Sequence, residues 1–407
     1  MTDTEEKQSY SQKLHWQYLH YSLSGLPGAY SGLDTNRLTL VHFLVHSLSI
    51  TSDVRLFAPQ SSEVRSRLIS WILNLLVTSG TGPTATAGFT GGTSIGNPFT
   101  PFTPTSSSSS SPPPPRVETT HHIAMTYCAL LTLLSLSYDI TTLPCHAIMN
   151  GVKSLQNLSP GPLQGSFKSH GEGSESDMRF NYCAVTIERV LWKCLNPTLP
   201  YDGKDCTYID KKTLLEYCKG CKTYDGGIGL VPGLESHGGS YFTCLATLST
   251  LDMIGEVFES EECLDRLERW GVRRQIGGMQ GRTGKAEDTC YSYWVGGGIR
   301  ILGTYRGGDD ADKCELPEPG KVVEFIMKCQ HPRFGGFGKN VGAPPDIMHT
   351  FYSLCYLSMS GVEGDKMGEV DVVLGCDGKV GEWVRRDGVG YGVCIEEHEK
   401  RMKGEGD

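Results

Sequence analysis

Apolar residues recur at helical spacing through most of this chain, and the pattern is broken at glycine-containing turns. Leu14, Tyr18 and Tyr21 lie one helical face apart within residues 10–25, and the pattern stops before Pro27. A second helix is predicted over 35–48, with Thr39, Phe43 and His46 on one face, and a third over 65–77. Composition then changes abruptly. Residues 81–120 are dominated by Gly, Thr, Ser and Pro, including Ser106 to Ser111 and Pro112 to Pro115. Such a segment buries too little apolar surface to offset the entropy of ordering it, so it reads as a partly disordered insertion. Helix signals resume at His122.

From there the pattern repeats. Gly88-Phe89, Gly165-Ser166-Phe167, Gly226-Gly227-Ile228-Gly229, Gly277-Gly278-Met279 and Gly335-Gly336-Phe337-Gly338 each pair glycine with a large apolar residue ahead of a helical stretch. The last four are spaced by about 50 to 60 residues, the length of two helices with their loops. A glycine pair alone is only a helix-terminating signal. Five of them before similar helices imply an array, and such units must stack to bury their apolar faces. Strand signals are scarce. The fold expected is all-α, built from helix pairs, as a solenoid or as a closed ring.

Bulk composition narrows the function. The 407 residues carry a formal charge of −9, which argues against a general nucleic-acid binder. No apolar run approaches the roughly 18 residues that a membrane span needs. The polar, acidic start at Met1 to Lys7 does not read as a signal peptide, so the 15 cysteines are expected to be reduced thiols of a cytoplasmic protein, mostly buried.

Chemistry concentrates at the predicted helix starts, above all in Gly281 to Trp294. Asp288 and Cys290 offer a carboxylate and a thiolate to zinc, and His349, at the matching start one repeat later, offers an imidazole. Taken without His349, the Asp-x-Cys pair reads rather as a capping Asp beside a buried Cys. Cys218 and Cys221 form a C-x-x-C without a second pair and read as an incidental helical pair. Arg282 and Lys285, three residues apart in a Gly-flanked turn, can reach one anion, unless they form a solvated basic turn. His237, within Glu235-Ser236-His237-Gly238-Gly239, and Tyr291 can donate to the same anion. Tyr182, Phe242 and Trp294 place apolar surface nearby, which suits an anionic head on a long apolar tail.

These residues resemble one family. Asp-x-Cys-Tyr-Ser-x-Trp at 288–294, the Gly-Arg-x-x-Lys before it, the Glu-Ser-His-Gly-Gly turn and Asp-x-x-His-Thr at 346–350 resemble the beta subunits of zinc-dependent protein prenyltransferases. The resemblance implies an α-α barrel over residues 8–361, interrupted at about 81–120 and followed by a Gly-rich charged tail at 362–407. It also implies a funnel-shaped cavity and an obligate partner, a helical-repeat alpha subunit. In it, Asp288, Cys290 and His349 match the zinc ligands, and His237, Arg282, Lys285 and Tyr291 match the groups that hold an isoprenoid diphosphate.

Within the family, His122-Ile123-Ala124-Met125-Thr126-Tyr127 and 173–180 look like the type I geranylgeranyl enzymes. Thr39 matches a position where the farnesyl enzyme carries a bulky Trp, which implies room for a twenty-carbon tail. Lys339 matches a Lys standing where the farnesyl enzyme has a magnesium-binding Asp, which implies no magnesium requirement. Tyr352 and Thr243-Cys244 depart from the type I pattern. The implied reaction is thioether formation between geranylgeranyl diphosphate and the Cys of a C-terminal CaaX motif, typically ending in Leu, on proteins such as Rho-type small GTPases. Tyr127, Arg179, Phe242 and Trp294 would line the lipid or peptide side, although a buried Arg179 bonded to helix ends is an equally plain reading. The type II and farnesyl enzymes, and a catalytically silent barrel, are the alternatives.

Overall fold

A computed structural model describes residues 9–53, 56, 62–93, 120–197, 199, 201, 208–307, 316–362 and 367–385. The long helices alternate between two roles. Six carry buried residues on nearly every face: α2 (Arg37–Ile50), α4 (Ile123–Ser135), α6 (Met178–Leu195), α8 (Gly238–Thr250), α10 (Thr289–Gly307) and α12 (Ile347–Ser360). A helix apolar all round belongs inside. Between them in sequence come α1 (Gln12–Ser24), α3 (Ser62–Leu73), α5 (Cys145–Ser154), α7 (Lys211–Gly220), α9 (Glu261–Val272) and α11 (Pro319–Lys328). These bury only a stripe, such as Leu264, Leu267 and Trp270 on α9 or Val322 and Ile326 on α11.

The inner helices pack in sequence order, and α12 returns to α2. That closure decides between the two expectations: the array is a ring, not an open solenoid. A repeated backbone bond fixes the register. At or near the start of each inner helix, one N–H donates to a carbonyl of a following turn: Leu38 to Gly91, Ile123 to Ser169, Met178 to Leu230, Gly238 to Gly281 and Thr289 to Lys339. For α12 the acceptor is a side chain, the hydroxyl of Tyr30, at 3.0 Å from the Ile347 nitrogen. The ring is therefore sealed by the chain's N-terminal segment. His15 reinforces the seam, stacked between Tyr10 and Phe337 at ring distances of 4.9 and 4.6 Å.

The glycine turns behave as wedges. The large residue of each, Phe89, Phe167, Ile228, Met279 or Phe337, is fully buried. Gly278 shows why glycine is needed there, since a Cβ would lie 2.3 Å from the ring of Phe325. Among the described residues strands are confined to short pairs: β1 (Leu76–Ser79) with β2 (Thr86–Phe89), β3 (Phe167–Lys168) with β4 (Ser176–Asp177), and β5 (Val370–Asp371) with β6 (Cys376–Asp377).

Two segment boundaries differ from the expectation. The chain remains folded to residue 93, because Phe89 in β2 is a buried wedge; residues 94–119, which hold the Ser and Pro runs, lie outside the described residues. The chain is also folded beyond 361. β5, β6 and α13 (Gly378–Arg385) pack against inner helices and bury Leu374, Cys376, Val380, Trp383 and Val384. A glycine-rich composition concealed this piece, whose strands of two residues and helix of eight are too short for either period to stand out. The rest of the expected tail, 363–366 and 386–407, lies outside the described residues.

Candidate active site

All inner helices after α2 begin with a polar residue at or next to the cap, and the ring gathers these starts at one rim. His122, Asp177, His237 and Asp346 accept backbone N–H groups as caps of α4, α6, α8 and α12. Asp288 does the same ahead of α10, taking the N–H of Cys290 at 3.0 Å. Helix N-termini directed at one rim also favour anions there, because each ends in unpaired N–H groups.

Asp288, Cys290 and His349 come together as expected. Their ligand atoms lie within 4.8 Å of one another, and all three residues are buried. His349 Nε2 is 3.2 Å from Asp288, while its Nδ1 is 2.5 Å from Asp346. Asp346 thus turns the ring and leaves Nε2 facing Asp288 and Cys290. Burial opposes a charged His349, but the Asp288 and Asp346 carboxylates outweigh it and hold the imidazole up to about 9. Burial and the neighbouring Asp288 push the Cys290 thiol well up. Two acids around an imidazole and a thiol this buried are a poor arrangement for a plain core, and a soft-hard donor set of thiolate, imidazole and carboxylate suits zinc. Among the described residues this is the group that can hold a metal; Cys218 and Cys221 are buried without joining one.

The residues expected to meet an anion begin one residue away. Tyr291 follows Cys290, and its hydroxyl is 3.0 Å from His237 Nε2. His237 Nδ1 already accepts the Gly239 N–H, so a neutral ring donates from Nε2 to the Tyr291 oxygen and leaves the phenol O–H free. Burial, then Arg282, lowers the His237 pKa, which keeps the ring neutral. Arg282 pairs with Glu235 across the turn. Lys285 is exposed, and among the described residues no carboxylate pairs with its ammonium. Lys339 stands 3.7 Å from Asp288 with its side chain 60% exposed. It brings a cation to the metal group.

Below the rim runs an aromatic belt. Tyr127, Tyr182, Phe242, Tyr293 and Phe351 are each the fifth residue of their inner helix. Trp294 packs on Phe242 and Tyr352, at 5.1 and 4.4 Å between ring centres. Thr39 keeps partial exposure on an inner helix, beside Met125 and Cys128, so a small residue borders open space there. Arg179 is not buried: its side chain is 49% exposed and bonds to Asp177 and Glu175 at the rim. Thr243 turns its hydroxyl onto its own helix. A cavity of about 1140 Å³ between α1, the segment 27–33 and the turn before α12 has Tyr18, Pro345, Asp346, Met348 and His349 in its wall, and so meets the Asp288, Cys290 and His349 group through His349.

The sequence reading did not single out Asp346 as the partner of His349, or Glu175 and Asp177 as the partners of Arg179. The signal for both was an acid two to four residues before a functional group at a helix start.

Residues 11–376 match the model of the prenyltransferase alpha-alpha toroid domain, and the chain belongs to that family. Among its relatives, the geranylgeranyl transferase type-1 subunit beta of Arabidopsis thaliana is 30% identical over 366 residues, covering 88% of this chain and 86% of that one. The protein farnesyltransferase subunit beta of Schizosaccharomyces pombe is 30% identical over 369 residues, covering 88% and 80%. The protein geranylgeranyltransferase-I of Candida albicans, solved with GGPP, superposes with a TM-score of 0.73 over 93% of this chain and 99% of that one, at 21% identity, and shows the fold. Among the described residues no helix is long and apolar enough to cross a membrane.

Proposed function

We propose that this chain is the catalytic beta subunit of a type I protein geranylgeranyltransferase, paired with an alpha subunit. It transfers a geranylgeranyl group from geranylgeranyl diphosphate to the Cys of a C-terminal CaaX motif. The observation that carries this reading is the juxtaposition on one rim of the Asp288, Cys290 and His349 group with Tyr291, His237 and Arg282, above an aromatic belt. The relative named as a type-1 beta subunit supports the choice within the family.

A zinc ion held by Asp288, Cys290 and His349 would keep a substrate thiol as the thiolate at neutral pH. Asp346 fixes the His349 ring so that Nε2 is offered. The substrate sulfur forms its bond to C1 of the lipid as the C1–O bond breaks, and diphosphate leaves with the electron pair. Arg282, Lys285 and the free O–H of Tyr291 meet the charge growing on that leaving group. Neutral His237 orients Tyr291 without adding a second titrating charge. Lys339 supplies a fixed ammonium beside the site, where a divalent cation would otherwise neutralise the diphosphate. Tyr182, Phe242, Trp294 and Tyr352 exclude water from the tail, and Thr39 leaves space for its last isoprene unit.

Tyr352 and the farnesyltransferase relative favour a farnesyl donor as the second reading. One assay separates the two. The chain is co-expressed with an alpha subunit and turned over with fifteen- and twenty-carbon diphosphates, using peptides ending in Leu or Met. Preference for the twenty-carbon donor and the Leu peptide is expected; preference for the fifteen-carbon donor overturns the type I reading.

A further inference from the structure

Arg274 is a buried cation without a close counter-ion. It lies just past the end of α9, and the residue is only 6% exposed. Its Nε donates to the Trp270 carbonyl at 3.3 Å, and its guanidinium carbon lies 5.0 Å from the centre of the Trp270 ring. Both contacts suit a cation closing a helix C-terminus. They leave its charge uncompensated. The carboxylate that bears on Arg274 is Asp225, and among the described residues none pairs with it at ion-pair distance. Asp225 is occupied elsewhere: it accepts from Thr223 at 2.6 Å, from Trp270 Nε1 at 3.1 Å and from Ser236. A guanidinium stays protonated when buried, so an unpaired one is costly until an anion arrives near it.

The other end of this side chain reaches the rim. Nη1 donates to the Thr283 hydroxyl oxygen at 2.6 Å. Thr283 stands between Arg282 and Lys285, in the turn that carries both cations. Further bonds brace the same turn around Arg274. Its carbonyl accepts the Gln280 N–H at 2.9 Å, and the Gln280 side chain donates to the Lys285 carbonyl. The Gly281 carbonyl accepts the Gly238 N–H at 2.8 Å, which ties this turn to the one holding His237. Trp270 and Asp225 continue the brace, because Asp225 also takes the hydroxyl of Ser236, the residue before His237. Capping α9 does not need the bond to Thr283; holding the two turns in register does.

We propose that Arg274 is a positioning residue of the diphosphate site. Through Thr283 it fixes the turn that presents Arg282 and Lys285, and its own unpaired charge adds to the field that meets the leaving group. The inference rests on the prenyl-transfer reading, which supplies the diphosphate. Lys285 is exposed and the Arg282 side chain is 37% exposed, so a braced turn reduces the entropy lost when they order on an anion. Donors fixed before the reaction also stabilise growing charge best. The anion in turn gives the buried guanidinium its counter-charge.

The test uses the heterodimer co-expressed with an alpha subunit and titrated calorimetrically with inorganic diphosphate. Thermal midpoint and zinc content are recorded in the absence of diphosphate. Thr283 is exposed, so its variants spare the core. Thr283→Val should weaken diphosphate binding about threefold, and Thr283→Ser, which keeps the hydroxyl, should restore it. Arg274→Gln should weaken binding about tenfold, with Arg274→Lys, which keeps the charge, in between. In the Thr283→Val background, Arg274→Gln should cost less than in wild type, since the bond between them is already gone. Zinc content should not change. Wild-type affinity in Arg274→Gln beside a lowered midpoint would reduce Arg274 to a cap of α9, and strictly additive losses would sever the link through Thr283; either result overturns the inference. Should Arg274→Gln fail to fold, the Thr283 pair still decides, because equal affinity in Thr283→Val and Thr283→Ser also overturns it. A wild-type protein that does not bind diphosphate overturns the prenyl-transfer reading, and the inference with it.

Discussion

Replacing Asp346 by Asn separates two jobs done by one carboxylate. Oδ1 caps α12 by accepting the His349 N–H at 2.9 Å, and Oδ2 holds the His349 ring through Nδ1 at 2.5 Å. Asn keeps an oxygen for the cap but presents an NH₂ group to Nδ1. That amide can only donate, so Nδ1 must accept, and the ring proton moves to Nε2, the nitrogen that faces Asp288 and Cys290. The tautomer able to bind metal then has to be formed against this hydrogen bond. Loss of such a partner costs roughly 10- to 100-fold in metal affinity, or about 1.4 to 2.7 kcal/mol. Thermal stability of the metal-free protein should change little when read above about pH 9, where His349 is neutral and its ion pair with Asp346 no longer contributes. Asp346→Ala loses the cap too, and should add about 1 kcal/mol of destabilisation. The assay is zinc affinity by competition with a chromophoric chelator, read beside thermal unfolding of the apoprotein. Wild-type zinc affinity in Asp346→Asn, together with a stability loss in Asp346→Ala, would reduce Asp346 to a helix cap and refute the orienting role.

Four further outcomes are expected. Cys290→Ala should lose zinc and transfer activity while the heterodimer still forms; zinc content at the wild-type level would remove Cys290 from the ligand set. Thr39→Trp should shift the donor ratio toward the fifteen-carbon diphosphate, because the ring fills the space beside Met125 and Cys128, and a constant ratio would show that Thr39 does not gauge length. Lys339→Asp should make turnover respond to magnesium, with a flat titration excluding the ammonium from that role. Burial lowers the His15 pKa from 6.5 to about 4, so the unfolded chain takes up that proton first as pH falls. The resulting stabilisation is complete above pH 6.5 and is lost as pH drops toward 4, by about 3 kcal/mol. His15→Gln should flatten that part of the midpoint-against-pH curve, and a slope equal to wild type would place the titration elsewhere.

Helix content, the repeat and the Asp288, Cys290 and His349 group were legible because each has a local cause. An inner helix is apolar on every face, an outer one carries a stripe, and a wedge needs Gly beside a bulky residue. A ligand at a helix start sits at a fixed distance from its cap. Closure of the ring is not local. It depends on Tyr30 and His15 meeting the start and the preceding turn of α12, more than 300 residues along the chain. Orientation within the site is no more local, since which nitrogen His349 offers and which proton Tyr291 keeps depend on partners that only folding supplies. Residues 367–385 show the limit most clearly. By composition they resemble a loose tail, because Gly368, Gly375, Gly378 and Gly381 carry no apolar surface. The barrel supplies that surface from outside the segment, as three phenols and a buried His46 converge on the hairpin of β5 and β6. The sequence by itself determined the units and most of their chemistry; the tertiary structure decided that they close into a ring, and that residues 367–385 pack against its inner helices.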